Sequence, residues 1–145
     1  MQITFSLPHV FYPGSNRDED ADALRDSLDY LIRLNLSYLR HNAVVPLYKS
    51  GVRYGRTTIW DTIPALYKRR YGDCKSLTAA LVAQYRIARI DCAPVFRWVK
   101  RNDGSGSTDY HILVQVAPSK QNPDGFEDPS KVLGMGRNEN APIKR

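Results

Sequence analysis

Apolar residues recur at helical spacing in two long stretches of the chain and alternate in a third. From about Asp18 to His41, Leu24, Leu28, Leu31, Leu34, Tyr38 and Leu39 form a stripe that predicts one buried helix face. Acids crowd the first turn of this helix, where the helix dipole favours them. From about Asp73 to Arg89, Leu77, Leu81, Tyr85 and Ala88 repeat the helical pattern. In "DYHILVQVA" the period falls to two, with Tyr110, Ile112, Val114 and Val116 on one face and His111, Leu113 and Gln115 on the other.

Weaker signals fill the intervals. "QITFSLPHVFY" reads as extended, with Pro8 arguing for a sheet edge. "PGSNRDED" is a turn rich in helix-capping residues, and His41 to Thr62 reads as irregular. A short helix, "IPALYKRR", starts near Pro64, since proline suits a first turn. "DCAPVFRWVK" reads as a strand and "RNDGSGST" as a hairpin turn. "PSKQNPDG" is another turn, and "FEDPSKVLGMG" reads as a short strand ending at Pro129. Helices first and an antiparallel meander afterwards predict an α+β fold.

Length and composition narrow the class. At 145 residues, 42% apolar and 25% charged, the chain predicts a single domain over residues 1–136 with a weakly ordered tail over 137–145. The start "MQITFSLPHVFYPG" lacks a basic, apolar leader, and no segment reaches membrane-spanning length. The two cysteines, Cys74 and Cys92, have no metal-type spacing, and three histidines support a zinc site poorly. A Cys74–Cys92 disulfide is possible on paper, and nothing demands it. The net charge of +6 would suit acidic partners, yet no recognition helix, aromatic-basic RNA motif or phosphate-cradling glycine loop accompanies it. A solvated basic face is the plainer reading, with nucleic-acid binding the weakest functional one.

Three residues carry candidate chemistry. Cys74 stands at a helix start, where partial positive charge and free backbone N–H groups stabilise a thiolate. A neighbouring imidazole would take and return the proton, and a third polar group would orient it. His111, off the apolar stripe of its strand, and Asp128, before Pro129, suit those roles. Each also has a plainer reading: a small buried cysteine, a satisfied structural histidine, an aspartate bonding its own turn. Cys92, on a strand, reads as a core residue. The nucleophile reading predicts that Cys74 is alkylated faster than Cys92 near pH 6.

"YGDCKSLTAALVAQYR", "DYHILVQV" and "GFEDPSKVLGM", in that order, resemble the transglutaminase-like superfamily of papain-type cysteine enzymes. "YKSGVRYGRTTIWDTIPALYKRRYGDC" sharpens the likeness, being similar to small transglutaminase-like proteins encoded by bacteriophages. The resemblance spans about residues 46–136. It implies a papain-like core, with the cysteine helix packed on an antiparallel β-sheet. By position it implies Cys74 as nucleophile, His111 as general base and acid, and Asp128 as the residue orienting His111. The oxyanion would be held by the Cys74 backbone N–H and an upstream side chain, Tyr54 in preference to Trp60, which reads as a core aromatic. Lys75 and Ser76 stand where many relatives carry acids, a change in local charge with a bearing on substrate choice.

The implied activity is thiol-dependent hydrolysis or acyl transfer on an amide of a protein or peptide: peptidase, deamidase or cross-linking chemistry. It needs no cofactor or metal and no membrane. The implied setting is the host cytoplasm on synthesis, with association with a virion. The alternative is a structural virion protein of a tail or baseplate that keeps the fold as a docking module among other virion proteins.

Overall fold

Ten consecutive residues of one helix, Cys74 to Ala83, are all buried, so this helix has no solvent face over its first turns. A helix buried all round must be enclosed by other elements, and the fold is that enclosure. The computed structural model describes residues 3–6, 10–11 and 17–137. In chain order the elements are β1 (Thr4–Ser6), β2 (Val10–Phe11), α1 (Arg17–Leu39), a 3₁₀ turn (Leu47–Lys49), β3 (Arg53–Tyr54), β4 (Ile59–Asp61), α2 (Ile63–Arg69), β5 (Tyr71–Gly72), α3 (Cys74–Ile87), β6 (Cys92–Lys100), β7 (Thr108–Val116), β8 (Phe126–Glu127) and α4 (Pro129–Val132). The chain is a mixed α+β protein.

Helix α1 packs along α3, and β6 and β7 pack on α3 as well. Strand β7 is the hub of the main sheet. It pairs antiparallel with β6 from Cys92↔Val116 to Lys100↔Thr108. Its other edge is shared by β2, opposite Thr108 and Asp109, and β8, opposite Val114 and Gln115. Two small sheets flank this one: β1 with β4, antiparallel, and β3 with β5, parallel. Trp60 is fully buried in the shared core and stacks on Phe5 at 5.3 Å.

The expected long helices and both long strands are present, with shifts that have physical causes. The buried stripe of α1 runs through Leu24, Leu28, Leu31, Ile32 and Asn35, while Leu34 is only half-buried. Asn35 lies inside because it does capping work: its Oδ1 accepts from the Ile63 N–H at 2.8 Å. The usual cap, Thr62, makes no side-chain cap bond, because its hydroxyl bonds Ile3 instead. The stretch expected to be irregular holds the 3₁₀ turn, β3 and β4.

The expected strand ending at Pro129 is also different. It stops at Glu127, and Pro129 opens α4 with Asp128 as its N-cap; Asp128 Oδ1 accepts from the N–H groups of Ser130 and Lys131 at 3.1 and 3.3 Å. An aspartate before a proline at the first helical position is a strong helix start. Pro8, the first half of the expected capping turn before α1 and residues 138–145 of the expected weakly ordered tail lie outside the described residues, and the second half of that turn is already the start of α1.

The approach to α3 is tight. A Cβ built on Gly72 would stand 2.7 Å from Leu66 Cδ1 and 3.3 Å from Ser76 Cβ. Leu66 is fully buried and has little room to give way. Gly72→Ala is therefore expected to destabilise the protein by about 1–3 kcal/mol, the usual cost of overpacking. A denaturant midpoint unchanged from the parent would show that Leu66 repacks freely.

Candidate active site

Helix α3 begins at Cys74 because Asp73 caps it. The Asp73 backbone is extended, and its Oδ1 accepts from the Lys75 N–H at 3.2 Å. The cap sets Cys74 at the first helical position, on the floor of a cleft of about 590 Å³. His111 lines the same cleft from β7, and Tyr54 lines it from β3. Strand β7 is held against α3 partly by Thr78, whose hydroxyl donates to the Ile112 carbonyl at 3.2 Å. Tyr54 is fixed by its N–H, which donates to the Leu133 carbonyl at 2.9 Å, and by the pairing of β3 with β5.

His111 and Asp128 meet. His111 Nε2 lies 2.8 Å from Asp128 Oδ2, with both side chains about one-fifth exposed. Each carboxylate oxygen thus has its own work, Oδ1 capping α4 and Oδ2 holding the imidazole. Burial works to raise the Asp128 pKa, but the His111 hydrogen bond and charge, with the Lys131 backbone and ammonium, outweigh it and hold the carboxyl below its ordinary value. Asp128 is therefore an anion at neutral pH. With Nε2 engaged, Nδ1 is the ring nitrogen left to exchange a proton in the cleft.

The sulfur is not the ready thiolate that its helix start suggests. Cys74 is 7% exposed, and burial, followed by the Asp73 charge, pushes its pKa up to about 12; Lys75 and the Ile112 N–H oppose the rise. A dry setting penalises the charged form more than one helix turn repays. Alkylation of Cys74 by iodoacetamide is therefore expected to be slow at pH 6 and to climb steadily from pH 7 to 10. Burial also raises the Cys92 thiol pKa, so Cys92 gives no reason to expect early labelling either. Mass mapping of both sites across pH tests this. A Cys74 rate already flat from pH 5 to 8 would mean a preformed thiolate–imidazolium pair and would overturn the burial argument.

The structure places the remaining expected residues as follows. Trp60 is core, with no place in the cleft. Lys75 and Ser76, expected to alter the charge met by a substrate, are both fully buried. The Ser76 hydroxyl accepts from the Asp61 N–H at 2.9 Å, and Lys75 pairs with Asp73. They face inward because β4 and the loop before it close over this side of α3. Both cysteines are free thiols. Among the described residues no helix is long and apolar enough to cross a membrane, and no group of three or more His, Cys, Asp or Glu stands together as metal ligands.

The sequence pattern does not single out Tyr110, which reads there as one more position of the apolar stripe. It also lines the cleft, and burial, with Cys74 and Asp73 nearby, raises the pKa of its hydroxyl and keeps it protonated. Nor does the pattern single out Glu127, whose carboxylate accepts from Tyr48 at 2.7 Å, Tyr85 at 2.7 and 2.9 Å, and Asn122 at 3.2 Å. No short motif announces either residue. No family model matches the chain, and neither a curated protein nor a solved structure matches it.

Proposed function

We propose that the chain is a transglutaminase-like, papain-type cysteine enzyme that performs acyl chemistry on an amide of a protein or peptide. The observation that carries this reading is the His111–Asp128 pair at 2.8 Å beside a cleft whose floor is Cys74 at a helix N-terminus. Cys74 is the nucleophile. His111, held through Nε2, takes the thiol proton on Nδ1 as sulfur attacks, and a neutral resting thiol makes this transfer part of the chemical step. The carbonyl oxygen gains charge and is held by the Cys74 N–H and by Tyr54. His111 returns the proton to the leaving amine, leaving a thioester. Water then regenerates the thiol in hydrolysis, or an amine does so in transfer. Hydrolysis is the preferred outcome, since water needs no second binding site.

A second reading has its own support. The burial and raised pKa of Cys74 also suit a structural module, such as a virion component that keeps the fold without the reaction. Cys74→Ala separates the two. For the enzyme, this variant loses covalent capture of a peptidyl electrophile, read by intact mass, while its melting temperature stays near that of the parent. Loss of one sulfur at the cleft floor leaves little cavity. If the parent captures no electrophile and Cys74→Ala unfolds, the structural reading stands.

A further inference from the structure

Lys75 has no exposed surface, although a lysine is almost never fully buried unless it is paired. Its ammonium pairs with Asp73, donates to the Thr57 carbonyl at 2.8 Å and lies 5.8 Å from the centre of the Trp60 ring. The cation thus joins three segments: the cysteine turn, the loop that follows Tyr54, and the core tryptophan.

We propose that the buried Lys75–Asp73 pair positions the cysteine turn and balances its charge, tying the Tyr54 side of the cleft to the start of α3 and offsetting the carboxylate beside the Cys74 sulfur. This rests on the reading of Cys74 as the nucleophile. The balance matters because the residue that caps α3 is an acid: Asp73 Oδ1 accepts from the Lys75 N–H. A cap carboxylate next to a nucleophilic sulfur opposes thiolate formation. A cation drawn from the second helical position restores neutrality without reaching the cleft, so the substrate meets no added charge. Other charged or titratable groups near the sulfur are Tyr110 and His111 on β7 and Asp128 at the start of α4; Tyr54, Arg56, Lys100, Arg101, Asp103 and Asp109 also line the cleft. Asp73 and Lys75 are the two adjoining Cys74 in sequence, and they act on it with opposite sign.

The test is the second-order rate of iodoacetamide labelling at Cys74 at pH 8, and its pH profile, with Cys92 as internal control. Lys75→Met is expected to slow Cys74 on the order of tenfold, the change in thiolate fraction for one pKa unit, and to shift its profile to higher pH. Asp73→Asn, which can keep the cap, is expected to speed it by a similar factor. The double variant returns close to the parent rate. A purely structural role would move both single variants the same way. That result, or no change in either, overturns the proposal. Should Lys75→Met fail to fold, Asp73→Asn and the double variant decide: no acceleration in the first, or a double variant slower than the parent, rejects it. Iodoacetamide needs no substrate site, so opposite-sign responses without peptide acylation would sink the amide chemistry and leave this inference intact.

Discussion

His111→Ala is expected to slow single-turnover acylation of Cys74 by a peptidyl electrophile on the order of 10³-fold or more, the scale seen when a triad base is lost. The neutral thiol makes the effect large. With the Cys74 pKa pushed up to about 12, hardly any thiolate exists at pH 7 without a base to take the proton. Asp128→Asn should cost less, about 10- to 1000-fold at most, because an amide oxygen can still accept from the ring while the charge that stabilises the imidazolium is gone. Asp128→Ala should cost more than Asp128→Asn, since the ring is then free to rotate. The neighbouring acids serve as controls. Asp109 Oδ1 accepts from the Tyr110 N–H at 3.2 Å, and Asp124 Oδ1 accepts from the Phe126 N–H at 3.0 Å. Asp109→Asn and Asp124→Asn should therefore acylate near the parent rate. A sensitive Asp109 or Asp124 together with a normal Asp128→Ala would refute the triad.

Glu127→Ala is expected to be strongly destabilising although it lies outside the cleft. Its carboxylate gathers Tyr48, Tyr85 and Asn122, tying β8 to the 3₁₀ turn and to α3. Truncation leaves two tyrosine hydroxyls without their acceptor. Hydrogen bonds to a charged group contribute about 1.5–3 kcal/mol each, and since Glu127 sits at the margin of burial a net loss of about 2–4 kcal/mol is expected. For a chain of this length that lowers Tm by about 10 °C. Acylation should also slow, because the adjoining residue is Asp128. Thermal melts of Glu127→Ala and Glu127→Gln measure this. An alanine variant that melts with the parent would mean that the network adds nothing.

The same cluster gives stability an alkaline limit. Burial, then the Glu127 hydrogen bond, raises the hydroxyl pKa values of Tyr48 and Tyr85 above their ordinary value. Above pH ~10 the unfolded chain releases these protons and the folded chain keeps them, so stability is full below that pH and falls as pH rises. The raised Cys74 thiol acts with the same sign from about pH 8.5 upward.

Much of this protein is legible in short-range pattern. Helices α1 and α3 and strand β7 are long enough for apolar spacing to repeat several times, so local periodicity declares them. Cys74 at a helix start follows from the "GD" before it and the apolar run after it. The start of α4 is equally local, because Asp128 before Pro129 is a capping signal. Asp128 and His111 could be named as candidates from residue type and order.

Tertiary structure decided the rest, because the information is not local. Strands β3, β4 and β5 have two or three residues each, too few for any period, and exist through their partners' backbone. Asn35 sits inside because a helix distant in sequence needs a cap, which no spacing within α1 can reveal. Lys75 is buried because chain from another part of the sequence closes over a helix that has no outer face there. The 2.8 Å contact of His111 with Asp128 depends on where β7 lies relative to α4. The acidity of Cys74 depends on water excluded by several elements at once. Residue type and spacing by themselves determined which side chains could take part in a reaction; packing decided their protonation, their partners and which of them meet.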